Sequence, residues 1–335
     1  MARKFLERHP LIDGHNDLPN VIREKGKPPR DVAAYDLRGR TAGDTDLGRL
    51  REGGIGGQFW SVWIPSTPEV GAKGFARIQL EQIDLALRMI ERYPDALALA
   101  LTAGDIERAN GAGRIASLLG IEGGHAIENS LGALRDYWRL GVRYMTLTHF
   151  NGNDWADSAT AAPRHGGLTK FGEEVVREMN RLGMLVDLSH VSEETMSDAL
   201  DVAEAPVIFS HSSARALTNH VRNVPDSILR RVTANGGVVM VNFAPQFISE
   251  EVRLHGQAVQ RRADSLRGAG VAPDAVRDSV RAWNAAAPRA TLRQVADHIE
   301  HIRRVAGVDH VGIGSDFDGI PRGPLGLEDV ADFPV

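Results

Sequence analysis

His15 and Asp17 stand two residues apart at the end of an apolar run, in Leu11-Ile12-Asp13-Gly14-His15-Asn16-Asp17. In an extended backbone alternate side chains share a face, so this imidazole and carboxylate can be aimed at one point. The combination suits a divalent cation of borderline hardness, zinc above all. Taken alone, a His-x-Asp after an apolar segment is also what a plain surface turn looks like. The pair gains weight only if distant parts of the chain bring more ligands to the same place.

Several do. Leu118-Leu119-Gly120-Ile121 runs into Glu122, Tyr144-Met145-Thr146-Leu147-Thr148 into His149, and Leu185-Val186-Asp187-Leu188-Ser189 into His190. Val207-Ile208-Phe209-Ser210 delivers His211, and Val311-Gly312-Ile313-Gly314-Ser315 delivers Asp316. Each residue singly reads as a helix cap or a surface group. Their shared position after short, β-branched runs is the informative part.

The elements that must position them alternate in type. Candidate strands lie at 11–13, 57–63, 117–121, 142–148, 184–188, 207–210, 237–242 and 310–314. Between them, 75–93, 131–140, 169–182, 193–202 and 227–235 carry apolar residues at three- and four-residue spacing. Ser192 and Thr291 are placed to cap helices that begin at Glu193 and Leu292. Eight strands alternating with helices predict an α/β fold of the (β/α)₈ TIM type, in which the C-terminal strand ends ring one mouth. A doubly wound sheet is the alternative. Its glycine fingerprint is missing, because Phe59 stands where Gly53-Gly54-Ile55-Gly56-Gly57 would need its last glycine. Residues 246–290, rich in Arg and Ala, read as a helical insertion after the seventh strand that covers the top of the barrel or an interface. His298 and His301 flank the apolar stripe of 291–305 and read as a solvated helix face.

Composition excludes several classes. The 335 residues carry a formal net charge of −5 with signs interspersed, so no basic stripe points to nucleic acid and no polybasic tail to a lipid surface. There is no cysteine, which removes disulfides, thiolate metal sites and a Cys nucleophile. Met1-Ala2-Arg3-Lys4-Phe5-Leu6-Glu7-Arg8 lacks the apolar core of a signal peptide, and no segment reads as a membrane span. The expectation is one cytoplasmic domain spanning 1–335, without membrane attachment.

His15, Asp17, Glu122, His190 and His211 are too many for one tetrahedral zinc with an open position. They fit two metals about 3.5–4 Å apart sharing a carboxylate, with Glu122 as the natural bridge because its strand lies between the other ligands' strands. A hydroxide between two such cations is a strong nucleophile at neutral pH, so hydrolysis is the implied chemistry.

Asp13-Gly14-His15-Asn16-Asp17-Leu18-Pro19, Gly120-Ile121-Glu122-Gly123-Gly124-His125, Leu147-Thr148-His149, Asp187-Leu188-Ser189-His190-Val191-Ser192, Phe209-Ser210-His211-Ser212 and Gly312-Ile313-Gly314-Ser315-Asp316-Phe317-Asp318-Gly319 resemble, in order and over nearly the whole chain, the membrane (renal) dipeptidases. The resemblance implies a binuclear zinc (β/α)₈ barrel that hydrolyses dipeptides, some with a D-residue at the C-terminal position. By it, His15 and Asp17 bind one zinc, His190 and His211 the other, and Glu122 bridges. It makes His149 the group that polarises the scissile carbonyl, Arg222 the clamp on the substrate's free carboxylate, and Asp316 the proton shuttle, with Asp318 on the same turn as its nearest confusion.

The chain departs from the mammalian members in lacking their secretion signal, lipid-anchor signal and cysteines, so membrane attachment and a disulfide-linked dimer are not carried over; a homodimer stays open. It also stops at Asp332-Phe333-Pro334-Val335, soon after the eighth strand, which reads as a truncation leaving the barrel without its closing helices. An unclosed barrel would expose apolar strand surface. The rival readings are another amidohydrolase-like barrel, such as a lactonase or deaminase, and a catalytically silent metal-binding protein. The former usually opens with His-x-His rather than His-x-Asp.

Overall fold

Parallel pairing carries the chain all the way around a ring in the computed structural model, which describes residues 2–6, 8–285 and 287–334. β1 (Leu11–Asn16) pairs with β2 (Ile55–Ser61), and β2 with β4 (Ile115–Glu122). From there β5 (Val142–Thr146), β6 (Leu185–Asp187), β7 (Ile208–Phe209), β8 (Val238–Val241) and β9 (Val311–Ile313) follow in order, and β9 returns to β1. These are the eight strands anticipated from the sequence, and they form a closed (β/α)₈ barrel. The strand that was not anticipated, β3 (Leu97–Leu99), sits outside the ring. It pairs with the start of β4, Leu97 opposite Ile115, before β5 joins β4 at Leu119.

β2 and β4 are buried at every residue, as strands covered on both faces must be. The helices supply that cover through one apolar face each. Lys170–Leu182 buries Val175, Val176 and Met179; Thr169 caps its start by accepting from Gly172 N–H, and Gly183 ends it at φ 74°. Burying each of those side chains stabilises the fold by about 1.5–3 kcal/mol. The caps read from the sequence are present: Ser192 accepts from Thr195 N–H, and Thr291 forms a reciprocal capping box with Gln294.

Between β8 and β9 the chain forms the helices Pro245–Ile248, Glu250–Gly268 and Pro273–Ala285, followed by Leu292–Ala306. The anticipated insertion is therefore helical, and it does reach over the top: Val252 and Asn284 line the barrel mouth. Among the described residues no helix is long and apolar enough to cross a membrane.

Two expectations are corrected. His298 and His301 are buried rather than solvated. Their helix packs that face across the loops after β7 and β8, and burial is tolerated because the polar atoms are matched: His298 Nδ1 accepts from Ala214 N–H (3.0 Å), its Nε2 faces the Ile248 carbonyl (3.3 Å), and His301 Nε2 meets Asp226 Oδ1 (2.8 Å). The expectation of an open barrel is corrected only in part: the strand ring closes, but all three residues of β9 are half-buried and Ile12 of β1 is 40% exposed. The segment after β9 folds back, with Phe317 packed edge-on against Phe243 and Phe333 and Val330 N–H donating to the Asp44 carbonyl.

One buried carboxylate reinforces the closure, beside backbone bonds from Asp17 N–H to the Phe317 carbonyl and from Asp316 N–H to the His15 carbonyl. The β1–β9 ladder is short, with Asp13 opposite Ile313 as its register pair. Asp13 completes it by accepting from Ser315 N–H (2.7 Å), Ser315 Oγ (2.6 Å) and Gln58 Nε2 (3.0 Å). Asp13→Ala would strand those donors in the interior and should cost about 2–4 kcal/mol of unfolding free energy, read by chemical denaturation of the metal-free protein. A change within about 0.5 kcal/mol, the range of ordinary surface substitutions, would show that the seam holds without it.

Candidate metal centre

β1 ends in His15 and Asn16, with Asp17 next; β4 ends in Glu122 itself; the loops after β5, β6 and β7 supply His149, His190 and His211. The last three stand a few residues beyond their strands, which are shorter than the apolar runs suggested. All converge on the barrel mouth around Glu122. Its Oε2 lies 3.6 Å from His15 Nε2, which is 3.3 Å from Asp17 Oδ2. Its Oε1 lies 2.9 Å from His190 Nε2, 3.3 Å from His211 Nε2 and 3.5 Å from His149 Nε2. One oxygen of Glu122 thus faces the β1 pair and the other faces the β6–β7 pair.

Neighbouring oxygens orient two of these rings. Tyr144 O–H reaches the Gly14 carbonyl (3.4 Å), leaving its oxygen to receive His15 Nδ1 at 2.9 Å. Ser210 O–H donates to Asp187 Oδ2 (2.7 Å) and its oxygen receives His211 Nδ1 at 2.7 Å. Both arrangements hold Nδ1 against an oxygen and turn Nε2 toward Glu122, as second partners of ligand histidines do. Burial holds His190 and His211 well below the usual imidazole range, with Arg222 and neighbouring imidazoles adding to the effect. For Glu122 the surrounding imidazoles outweigh burial and keep its carboxyl well below the usual range. For His15, burial is outweighed by Tyr144, Glu122 and Asp17, which hold its proton more tightly than usual.

This donor set fits divalent cations. His15 Nε2 is buried without a hydrogen-bond partner, and His190 Nε2 and His211 Nε2 face each other at 2.9 Å beside one carboxylate oxygen. Lone pairs crowded in this way are satisfied by a shared cation. Groups whose ligand atoms lie within 4.8 Å of one another are His15–Glu122–His211, Glu122–His149–His190 and His15–Asp17–Asp316. Proximity by itself therefore adds His149 and Asp316 to the five residues anticipated as ligands.

The remaining anticipated residues line the same cavity, of about 540 Å³. Arg222 is 1% exposed; it donates from Nη1 to Ser212 Oγ (3.3 Å) and from Nη2 to the His211 carbonyl (3.5 Å), lies over the Phe247 ring, and has no partner for Nε. Asp316 accepts from Asn242 Nδ2 (2.9 Å) and sits at φ 66°, a left-handed conformation uncommon outside glycine. Burial, reinforced by Asp17 and Glu122, pushes its carboxyl up to about 8. Gly319 faces Asp316 so closely that a Cβ there would lie 2.1 Å from Asp17 Oδ2 and 2.4 Å from Asp316 Oδ1. Asp318 faces away, accepting from Asp44 N–H at 2.8 Å, which separates it from Asp316.

Trp63 and Asn242 escaped the sequence reading. They terminate the two strand runs, 57–63 and 237–242, that offered no His or acid. Asn242 holds Asp316, and Trp63 Nε1–H donates to His149 Nδ1 at 3.2 Å. Their place at a strand end was the available signal.

The model of the membrane dipeptidase family (Peptidase family M19) matches residues 1–335. The chain belongs to that family. A dipeptidase of Clonostachys rogersoniana, verJ, is 42% identical over 343 residues, an alignment that takes in 100% of this chain and 78% of that protein. The probable dipeptidase PvdM of Pseudomonas aeruginosa superposes with a TM-score of 0.84 at 23% identity, over 99% of this chain and 89% of its own, a likeness of fold. A metallo peptidase of Rhodobacter sphaeroides, crystallised with a phosphinate mimic of the dipeptide L-Ala-D-Ala, superposes with a TM-score of 0.77 at 25% identity, over 97% of this chain and 90% of its own. The protein is accordingly a dipeptidase of the M19 metallopeptidase family, a hydrolase of peptide bonds.

Burial pushes the Asp318 carboxyl up from 3.8 to about 6, against the hydrogen bond from Asp44 N–H. A carboxyl that holds its proton more tightly in the folded state adds stability below its unfolded value, and that stability is lost as pH rises through the folded one. Asn keeps the acceptor oxygen and tolerates the φ of 65° at this position. Asp318→Asn in the metal-free protein should therefore gain stability relative to wild type as pH is raised from about 4 to about 7.5. Thermal melts showing a pH-independent difference would refute this.

Proposed function

We propose that the protein is a zinc-dependent dipeptidase that takes substrates with a free C-terminal carboxylate, including those whose C-terminal residue is D. One observation carries the reading. A buried arginine with an unpartnered Nε opens onto the same cavity as a ligand set split across the two oxygens of Glu122. His15 and Asp17 would hold one cation, His190 and His211 the other, with Glu122 shared. When bound, two such cations lower the pKa of water toward neutrality and polarise a carbonyl.

The chain's own residues do the rest. Arg222 receives the substrate carboxylate in a bidentate, charge-assisted pair that fixes the scissile bond near Glu122. His149, with Nε2 toward the cavity, donates to the carbonyl oxygen as negative charge develops there. Asp316, gripped by Asn242, takes a proton from the attacking water and passes it to the amine that leaves. A carboxyl with raised proton affinity suits both halves of that transfer. Acceptance of a C-terminal D-residue is supported by the L-Ala-D-Ala mimic held by the Rhodobacter relative.

Purified protein should hydrolyse Gly-D-Ala and L-Ala-L-Ala, lose activity to a chelator and regain it with zinc, and hold two metal ions per chain by elemental analysis. Full activity with one ion per chain would overturn the two-cation reading, and activity indifferent to chelator would overturn the metal altogether. Arg222→Met should lower kcat/KM on a free dipeptide on the order of 100-fold, yet leave the slow turnover of the C-terminally amidated dipeptide nearly unchanged. Equal losses on both substrates would remove Arg222 from carboxylate recognition.

A further inference from the structure

The histidines around Glu122 differ in what touches Nδ1. For His15 and His211 the partner is a hydroxyl oxygen, Tyr144 or Ser210, which can accept a proton from Nδ1, and His190 Nδ1 has no partner. For His149 the partner is Trp63 Nε1 at 3.2 Å. An indole nitrogen donates and never accepts. His149 Nδ1 must therefore be the bare nitrogen, and the ring's proton sits on Nε2, 3.5 Å from Glu122 Oε1 and open to the cavity. The ring has little freedom to escape this choice. Its centroid lies 4.1 Å from that of Phe150 and 4.3 Å from that of His190, and Ser158 Oγ holds the residue's carbonyl at 2.6 Å.

We infer that Trp63 is a positioning residue that locks His149 in its Nε2–H form. The lock does two things at once. It keeps a hydrogen-bond donor aimed at the place where the scissile carbonyl oxygen sits, and it denies that nitrogen to a cation, although His149 stands as close to Glu122 and His190 as a ligand would. Among these imidazoles only His149 has Nδ1 facing an N–H donor rather than a hydroxyl or no partner. The catalytic consequence rests on the reading of His149 in the preceding subsection; the tautomer does not.

Trp63→Phe keeps the ring and removes the N–H. Long-range proton–nitrogen correlation spectra of the metal-free, ¹⁵N-histidine-labelled protein, with His149 assigned by its loss in His149→Asn, should show the Nε2–H form in wild type. In Trp63→Phe they should show a mixture that includes the Nδ1–H form. In turnover assays Trp63→Phe should lower kcat by about 3–10-fold while KM stays within about twofold, the scale of one neutral hydrogen bond. The same substitution in a His149→Asn background should leave kcat nearly unchanged, because Asn has no tautomer to lock. An Nδ1–H form in wild type, or an unchanged spectrum in Trp63→Phe, overturns the inference. So does an equal loss of kcat in both backgrounds, the result of a merely structural tryptophan. The spectra require no turnover, so a failure of the dipeptidase reading would be told apart from a failure of the lock.

Discussion

One carboxylate, that of Glu122, organises the mouth of this barrel. It is buried at the last residue of a strand buried along its length, with imidazole nitrogens against both of its oxygens and Ser61 Oγ donating to one of them. A lone buried anion would be costly. Here it is the anion that makes a crowd of imidazoles tolerable, and the imidazoles keep it ionised. Neither can be moved without the other, so the strands that carry them must meet in one register around one axis.

That demand explains why so much polar structure is sunk into the barrel. Asp187 receives Ser210 and the backbone of Ser189, Asp13 receives Ser315 and Gln58, and Asn242 receives none of these but holds Asp316. Each contact fixes the start of a loop whose next residues carry the chemistry. Backbone strain appears at the same places: His190 and Asp316 both lie at positive φ, at a cost of roughly 1–3 kcal/mol each. The surrounding bonds hold them there, with Ala159 N–H on the His190 carbonyl (2.8 Å) and Asp316 N–H on the His15 carbonyl (3.1 Å). The loops, short after β6 and β8 but long after β5 and β7, are tied down at the site because the ligands must be aimed before any substrate arrives.

Most of this was legible in the chain. Parallel strands buried on both faces leave continuous apolar runs, so the ring strands stood out, and the residue after each run is where a barrel places chemistry. What escaped did so for physical reasons. β3 is three residues long and pairs only beside the start of β4, so it lacks the run that marks a ring strand. His298 and His301 read as solvated because a helix stripe shows what its own face buries, and nothing in it reveals that loops from two other strands will close over the flank. Trp63 and Asn242 carry no signal of charge or ligation, because neither titrates and neither is an ordinary metal ligand. Arg222 is the converse case: its burial depends on the loop between 212 and 223, which carries no periodic pattern, and family resemblance alone singled it out.

The helices Glu250–Gly268 and Pro273–Ala285 lie outside the ring yet lend Val252 and Asn284 to the cavity wall. Floor and roof of the site thus belong to different parts of the chain, one locked by mutual electrostatics and the other held by ordinary helix packing. Drift in the roof can recast which side chains are admitted while the reactive floor stays as it is. A change at Val252 or Asn284 would therefore alter which substrates fit and leave the reaction itself intact.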